Sequence, residues 1–360
     1  MKDIPSHKLN FRNNIAYEIN SETPFTGNEV QYFTTGEIQY KFSYKDGKLE
    51  GESISYYFSG QWNVKQNWKK GVLNGPYEEY YENGQLETKN TYKDGLREGP
   101  YESYYHNGQL RSKKNYKNGL REGPYESYYE NGQLDTKGSY KNDLSDGMHE
   151  NYYENGQLRS KKNYKNGLRD GMHENYYENG QLWYKTNYKN DLRDGMDENY
   201  YENGQLLSKT NYKNDLKEGI SQSYGENGEL RMKITYKDDE KIHEEQYIKN
   251  RLYTKISYKN DLKEGPFEVY RENGNIDTKT NYKNDLKDGP SESYYKSGKL
   301  HYVYIFKNDL KDGPYNRYYE NGALKEKGFY SNGVLEGTFE YFYKNGVLKE
   351  KVTYSNGNKR

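Results

Sequence analysis

Among side chains able to do chemistry, the six histidines come first: His7, His106, His149, His173, His243 and His301. His149 and His173 hold the same place in two successive copies of "GMHENYYENG". If each copy folds as a strand pair, they lie about 10 Å apart, too far to share one zinc ion. The others have no cysteine or second histidine at ligand spacing, so the histidines read as structural or surface groups. The acids of "NDLSDG", "NDLRDG" and "NDLKDG" superficially resemble calcium loops. They lack the alternating ligand ladder of an EF-hand, and Asn, Asp and Gly are what tight turns require. No phosphate-cradling or nucleophile-elbow motif stands in a suitable context. A catalytic centre gathers unlike groups in a concavity, whereas this chain presents like groups at regular intervals. The expectation is a non-enzymatic protein with no catalytic, metal or cofactor-binding residues.

What remains is a surface. The positions that change most between repeats follow the Leu of "NGQL" (Glu87, Arg111, Asp135, Arg159, Trp183 and Leu207) or follow Pro or Met (Tyr101, Tyr125, His149, His173 and Asp197). A constant frame with variable exposed positions suits recognition. Trp183 and Tyr184, close in sequence to Tyr176 and Tyr177, form the most unusual aromatic insertion, and aromatic anchors are favoured at interfaces. The candidate binding residues are thus Tyr101, Tyr125, His149, His173, Tyr176, Tyr177, Trp183, Tyr184 and Tyr200.

The elements that position them are repeats. Units begin at a tyrosine pair at Tyr32, Tyr56, Tyr80, Tyr104, Tyr128, Tyr152, Tyr176, Tyr200, Tyr224, Tyr247, Tyr270, Tyr294, Tyr318 and Phe342, mostly 24 residues apart. Two 23-residue steps flank Tyr247. Within a unit, runs such as "GPYESYYE" and "QLRSKKNYK" alternate with Asn-Gly or Asn-Asp turns, a hairpin signal, and recurrent glycine rules out helix. The fold class is all-β: an elongated array of tandem antiparallel hairpins in one twisted, meandering, solenoid-like sheet. At two strands per unit, it would span on the order of 130 Å. Residues 1–31 read as an N-terminal cap with a partial repeat and 32–223 as regular repeats. Residues 224–269 read as irregular repeats forming a kink, and 270–360 as C-terminal repeats with a frayed end. With Asn83-Gly84 as a two-residue type I′ loop, Tyr81 faces Leu86, Tyr80 faces Glu87 and Glu78 faces Lys89. That stacks Leu86, Leu110, Leu134, Leu158, Leu182 and Leu206 beside the tyrosines from Tyr81 to Tyr201 as the core, with Leu96, Leu120 and Leu144 folding over its edge.

Composition agrees. Only 31% of the 360 residues are hydrophobic and 46 residues are Tyr, too few aliphatics for a multilayer core but too many aromatics for disorder. Lys+Arg and Asp+Glu are both 55, so no net field draws nucleic acid or anionic membrane. No apolar run is long enough to span a membrane. There is no Cys, and the N-terminus lacks a signal-peptide core, so the chain as it stands reads as cytoplasmic, or exported if a leader has been removed.

The phrase "YYENGQLRSKKNYKNGLREGPYE" resembles the bacterial MORN-variant repeat, the unit of YwqK-family antitoxin-like proteins, over roughly residues 16 to 357. The segment "AYEINSETPFTGNEVQYFTTGEIQYKFSYKDGKLEG" is similar to the usual start of such arrays. The resemblance implies a hairpin-repeat fold, no catalytic residues and a scaffold that binds proteins or lipids, with a toxin as one candidate partner. A glycan or envelope component is the alternative partner, although tandem choline-binding hairpins rely on regularly placed Trp and this chain has only Trp62, Trp68 and Trp183. Lys and Glu alternate without a basic cluster, which disfavours lipid and nucleic acid. Terminal edge strands could pair two chains into a homodimer.

Overall fold

A computed structural model describes residues 2–360. The chain forms two compact units, one ending at Gly180 and one spanning Gln181–Arg360. In each, successive strands pair with their neighbours in sequence as an antiparallel meander. In the first unit Gly99–Tyr104, Leu110–Lys117, Leu120–Tyr128 and Leu134–Lys141 follow one another in this way. The expected all-β hairpin array is what folds, and neither sheet closes into a barrel.

The two turns of each repeat differ from the expected assignment. At Tyr81–Gln85 the Tyr81 N–H donates to the Gln85 carbonyl at 2.8 Å and the Gly84 N–H to the Tyr81 carbonyl at 2.8 Å. Gly84 alone has positive φ, at 85°. This is a type I turn closed by a glycine bulge, a three-residue hairpin loop. Asn83 stays out of the left-handed region because its Oδ1 accepts the Gln85 N–H while its Nδ2 donates to the His106 carbonyl. The register therefore shifts: Leu86 faces Tyr80, Thr88 faces Glu79, and Glu87 is bulged out between them. Of the three expected pairs only Glu78 with Lys89 holds. The type I′ turn lies at the other end of the repeat, where Asn118 (φ 50°) and Gly119 (φ 83°) join the paired residues Lys117 and Leu120.

Strand alternation gives the sheet two faces. One carries Tyr101, Ser103, Ser112, Lys114 and Tyr116, and the other Pro100, Glu102, Tyr104, Lys113 and Asn115. On the second face, Tyr104 donates to Glu102 Oε2 at 2.6 Å, and ion pairs cross strands, Lys113 to Glu126 at 2.7 Å and Lys137 to Glu150 at 2.6 Å. Burial, reinforced by the bond to Glu102 and its charge, pushes the Tyr104 phenol up to about 12. Lys113, with help from Tyr128, holds the Glu126 carboxyl below its ordinary range.

The first face packs rings. Centroids run from Tyr125 to Tyr140 at 5.9 Å, Tyr140 to His149 at 5.4 Å, and His149 to Tyr164 at 5.1 Å, mostly edge-on. This row, not the leucine row, forms the interior of the repeats. Leu86, Leu110, Leu134 and Leu158 are only half-buried, because the bulge sets them beside the loop. Leu96, Leu120 and Leu144 are exposed; they follow the type I′ turn at the sheet's edge, and Leu96 lies over the next repeat's turn glycine, Gly119. Apart from Ile256 in the irregular repeats, the buried apolar residues lie near the termini. Ile4, Leu9, Ala16, Phe25 and Tyr44 cluster at one end, and Tyr315, Phe339 and Val352 are buried near the other. The parallel strand Asp3–Pro5 covers the edge of Gly27–Tyr32, whereas Leu348–Ser355 is paired on its outer side only at its end, by Asn358–Lys359.

Neighbouring repeats are stapled by the second tyrosine of each pair. Tyr57, Tyr81, Tyr105, Tyr129 and Tyr153 donate to the carbonyls of Tyr80, Tyr104, Tyr128, Tyr152 and Tyr176 at 2.7–2.9 Å. The irregular repeats lose this bond, since Gly225 and Ile248 have no hydroxyl, and Arg271 takes over by donating to the Tyr294 carbonyl at 2.7 Å. Each 23-residue step has a local cause. Between Lys241 and His243 the bulge glycine is missing, and at Lys249-Asn250 a two-residue loop (φ 51° and 61°) replaces the three-residue one. Strand pairing runs through both.

Tyr129→Phe leaves the Tyr152 carbonyl without its partner and is expected to cost about 1 kcal/mol in urea unfolding. Gly225→Tyr, whose Cβ meets only the mobile ends of Asn227 and Arg231, should restore a staple to Tyr247. Slower amide exchange around Tyr247 would show it, and unchanged exchange would refute the staple's role.

Candidate binding face

The bulge after each "NGQL" leucine does more than shift register: it turns the extra residue toward the ring-bearing face, as bulges do when they re-aim a side chain. Arg111 thus lies 5.8 Å from the ring of Tyr105, and Arg159 the same distance from that of Tyr153. Between these bulged residues and the ring row, the strands carry small hydroxyl residues. The result in the first unit is a groove of about 540 Å³ with Ser103, Ser112 and Ser127 along its bed. Tyr101, Tyr125 and Lys114 stand on one side, and Tyr81, Tyr105 and the bulged Glu87, Arg111 and Asp135 on the other. Lys114 lies 4.5 Å from the Tyr101 ring, and Asp135 accepts from Ser127 Oγ at 3.0 Å.

The ring row is capped by cations that sequence reasoning passed over. Arg97 lies 5.3 Å from the Tyr101 ring and 5.4 Å from that of Tyr116, Arg121 is 3.9 Å from Tyr140, and Arg193 is 3.8 Å from Tyr212. The signal was present, as Arg or Lys follows the turn leucine in most repeats, but strand alternation through the bulge was needed to place it over a ring. The turn acids are engaged in the turns themselves. Asp143 accepts from Arg121 N–H at 2.9 Å and Arg121 Nε at 2.8 Å, and Asp215 does the same for Arg193.

The nine expected binding residues do not share one surface. Tyr101 and Tyr125 line the groove. His149 and His173, expected to be exposed, are 8% and 4% accessible, and their Nε2 atoms lie 2.8 and 2.9 Å from the carbonyls of Ser139 and Asn163. The His149 ring fits because Gly138 stands where other repeats have Lys, Thr or Asn: a Cβ there would lie 2.4 Å from Nδ1. Asp197, in the same repeat position, is also buried, at 7%. Tyr176 and Tyr200 lie on the opposite face, donating to Glu174 and Glu198, while Tyr177 takes the place of the staple tyrosines. Trp183 is 51% exposed. Tyr184 replaces a groove-bed serine and is half-buried, donating to Asp197 Oδ2 at 2.9 Å. It fills the bed in its repeat.

A bed of small hydroxyls between a ring wall and a variable rim defines a tandem hairpin-repeat protein whose features lie on a continuous face. Twelve segments match the MORN repeat variant: residues 25–46, 73–94, 97–118, 121–142, 145–166, 169–190, 193–214, 217–238, 263–284, 287–308, 311–332 and 335–356. The chain belongs to the MORN repeat variant family. The larger internal gaps between matches, 47–72 and 239–262, coincide with the tryptophan-bearing "WNVKQNW" repeat and the glycine-poor irregular one. No curated protein matches the chain. Among solved structures it is similar to TcdB2-TccC3 without its hypervariable C-terminal region and to TcdB2-TccC3-Cdc42, each at 13% identity and TM-score 0.17, over 95% of this chain and 18% of theirs. It is likewise similar to the Photorhabdus luminescens Tc holotoxin pore, at 13% identity and TM-score 0.17, over 96% of this chain and 17% of that one. The chain therefore spans less than a fifth of the length of these structures.

Two measurements test the packing. Gly138→Thr should destabilise by about 1–3 kcal/mol through collision with His149. Combining it with His149→Ser recreates the hydroxyl pair that Thr210 and Ser221 form at 2.7 Å; recovery of stability in the double variant, by urea unfolding, is expected. Burial holds the Asp197 carboxyl above its ordinary range, against the pull of Tyr184 and Arg193. A carboxyl raised in the fold stabilises it below the unfolded pKa and loses that contribution as pH rises through the folded one. Asp197→Asn should therefore raise stability near neutral pH and show no gain near pH 3, by urea unfolding at the two pH values.

Proposed function

We propose that this protein is a non-enzymatic scaffold that binds another protein along the ring-bearing face, and that the partner is a toxin to which it serves as immunity protein. The observation that carries the binding reading is the contrast between frame and rim. Staple tyrosines, turn acids and the Glu–Lys ladder are internally bonded in repeat after repeat, while the bulged positions differ in residue type and charge from one repeat to the next. The same repeat position holds Glu87, Arg111, Asp135 and Arg159 in the first unit and Trp183 and Leu207 in the second. The toxin reading is supported by the resemblance to YwqK-family proteins. A glycan partner is disfavoured by the tryptophans: Trp62 is covered by its own Lys65, whose Nζ lies 2.9 Å from the ring centroid, and the indole nitrogen of Trp68 is buried, so no tandem indole platform exists.

The test is capture from native cells with the full chain as bait, beside Arg111→Glu, Trp183→Ala and, as an edge control, Leu144→Ala. One dominant protein retained by wild type and by the Leu144 variant, but reduced at least about tenfold by a rim variant, is the expected result. A toxin as that protein supports the immunity role. Retention of no protein, while isolated envelopes or glycans are bound, would overturn the reading.

A further inference from the structure

Three residues on the groove rim of the first unit, and a fourth in the same place one repeat beyond it, carry charges for which the described residues provide no ion pair. Glu87, Arg111, Asp135 and Arg159 occupy the bulged position of successive repeats and alternate in sign. Asp135 contacts the Ser127 hydroxyl and the Tyr129 phenol, and the two arginines lie near tyrosine rings. The staple tyrosines register the alternation: Tyr81 feels Glu87 and Arg111 in opposite senses, as Tyr129 feels Asp135 and Arg159. On the opposite face, by contrast, carboxylates pair with lysines across strands.

The spacing of these charges selects a ligand geometry. Two strands advance the array by about 9.5 Å per repeat. A polyproline II helix advances about 9.3 Å per three-residue turn and returns every third side chain to the same side. An extended β-strand would place residues i and i+3 on opposite sides and could not present a charge to each repeat. The polyproline II backbone has no internal hydrogen bonds, so its carbonyls can accept from Lys114 and from the one hydroxyl proton that the Ser103–Ser112 bond leaves free, while Tyr101 and Tyr125 offer the aromatic wall against which such helices dock.

We infer that the groove of the first unit binds a proline-rich segment of a partner protein in polyproline II conformation, with basic and acidic residues alternating at every third position. The basic residues lie over Glu87 and Asp135, and the acidic ones over Arg111 and Arg159. The inference rests on the protein-binding reading above and specifies its occupant.

The test uses the full chain and two labelled peptides of identical composition in fluorescence anisotropy. One repeats Lys-Pro-Pro-Glu-Pro-Pro three times; its isomer places all Lys-Pro-Pro triplets before all Glu-Pro-Pro triplets. The alternating peptide is expected to bind at least about tenfold more tightly. The double variant Glu87→Lys, Asp135→Lys, with an all-basic rim, should lose that preference and bind a Glu-Pro-Pro repeat instead, a gain that misfolding cannot imitate. Equal affinity for the two isomers, binding of neither, or an unchanged preference in the double variant overturns the inference. If a native protein is still captured and released by rim variants, the polyproline occupant alone falls; if none is, both readings fall.

Discussion

In each regular repeat of the first unit a tyrosine phenol crosses to the next repeat and donates to a backbone carbonyl, and the rest of that architecture depends on this bond. A meander with half-buried faces has no deep core to hold successive hairpins in register, and ladder hydrogen bonds alone leave the loop edge of each hairpin free to splay. The phenol closes that edge with one bond and covers it with one ring. Because the donor comes from one repeat and the acceptor from the next, stability accumulates by nearest-neighbour terms, as in other repeat arrays.

The opposite edge is closed by different chemistry to the same end. At the type I′ turn a backbone N–H donates to the preceding repeat, as Gly119 does to Arg97 at 2.9 Å, and a carboxylate such as Glu98 accepts the N–H of Asn118 at 2.8 Å. Where the second turn residue is Asp, its carboxylate reaches back to the preceding repeat's Arg or Lys. Both edges therefore consume the polar groups that a motif search would otherwise read as metal ligands. This division explains why a chain that is nearly one-third charged can fold with so few aliphatic residues: its charges serve as connectors between repeats.

The irregular repeats show what the connectors do. Where Gly225 and Ile248 remove two successive phenols, pairing persists, but the loop edge relies on other contacts, including Arg251 to the Glu272 carbonyl at 3.2 Å. Near the C-terminus the solution changes again. Tyr304, Tyr315, Tyr330 and Phe339 pack directly on one another, and Gly328 clears space for the Phe339 ring as Gly138 does for His149. Ring size on one strand and glycine on its neighbour are thus matched across the ladder.

The repeat length, the hairpin class and the positions of both turns were legible in the sequence, because glycine, asparagine and the two-residue side-chain period are local properties. So was the candidate rim, since variation at one phase is visible without a structure. Register was not. A type I turn with a glycine bulge and a type I′ turn share the letters Asn-Gly and differ in loop length by one residue. That one-residue difference moved Leu86 out of the core and brought Arg111 to the groove, whereas Tyr176 and Tyr200 lie on the opposite face by strand alternation alone. Burial of His149 was likewise decided by a glycine one strand away, Gly138, whereas His173 is buried opposite Lys162. The sequence by itself determined which short segments form strands and turns; which face each side chain meets was settled only by tertiary contacts between repeats, because in a sheet a single bulge inverts every orientation that follows it.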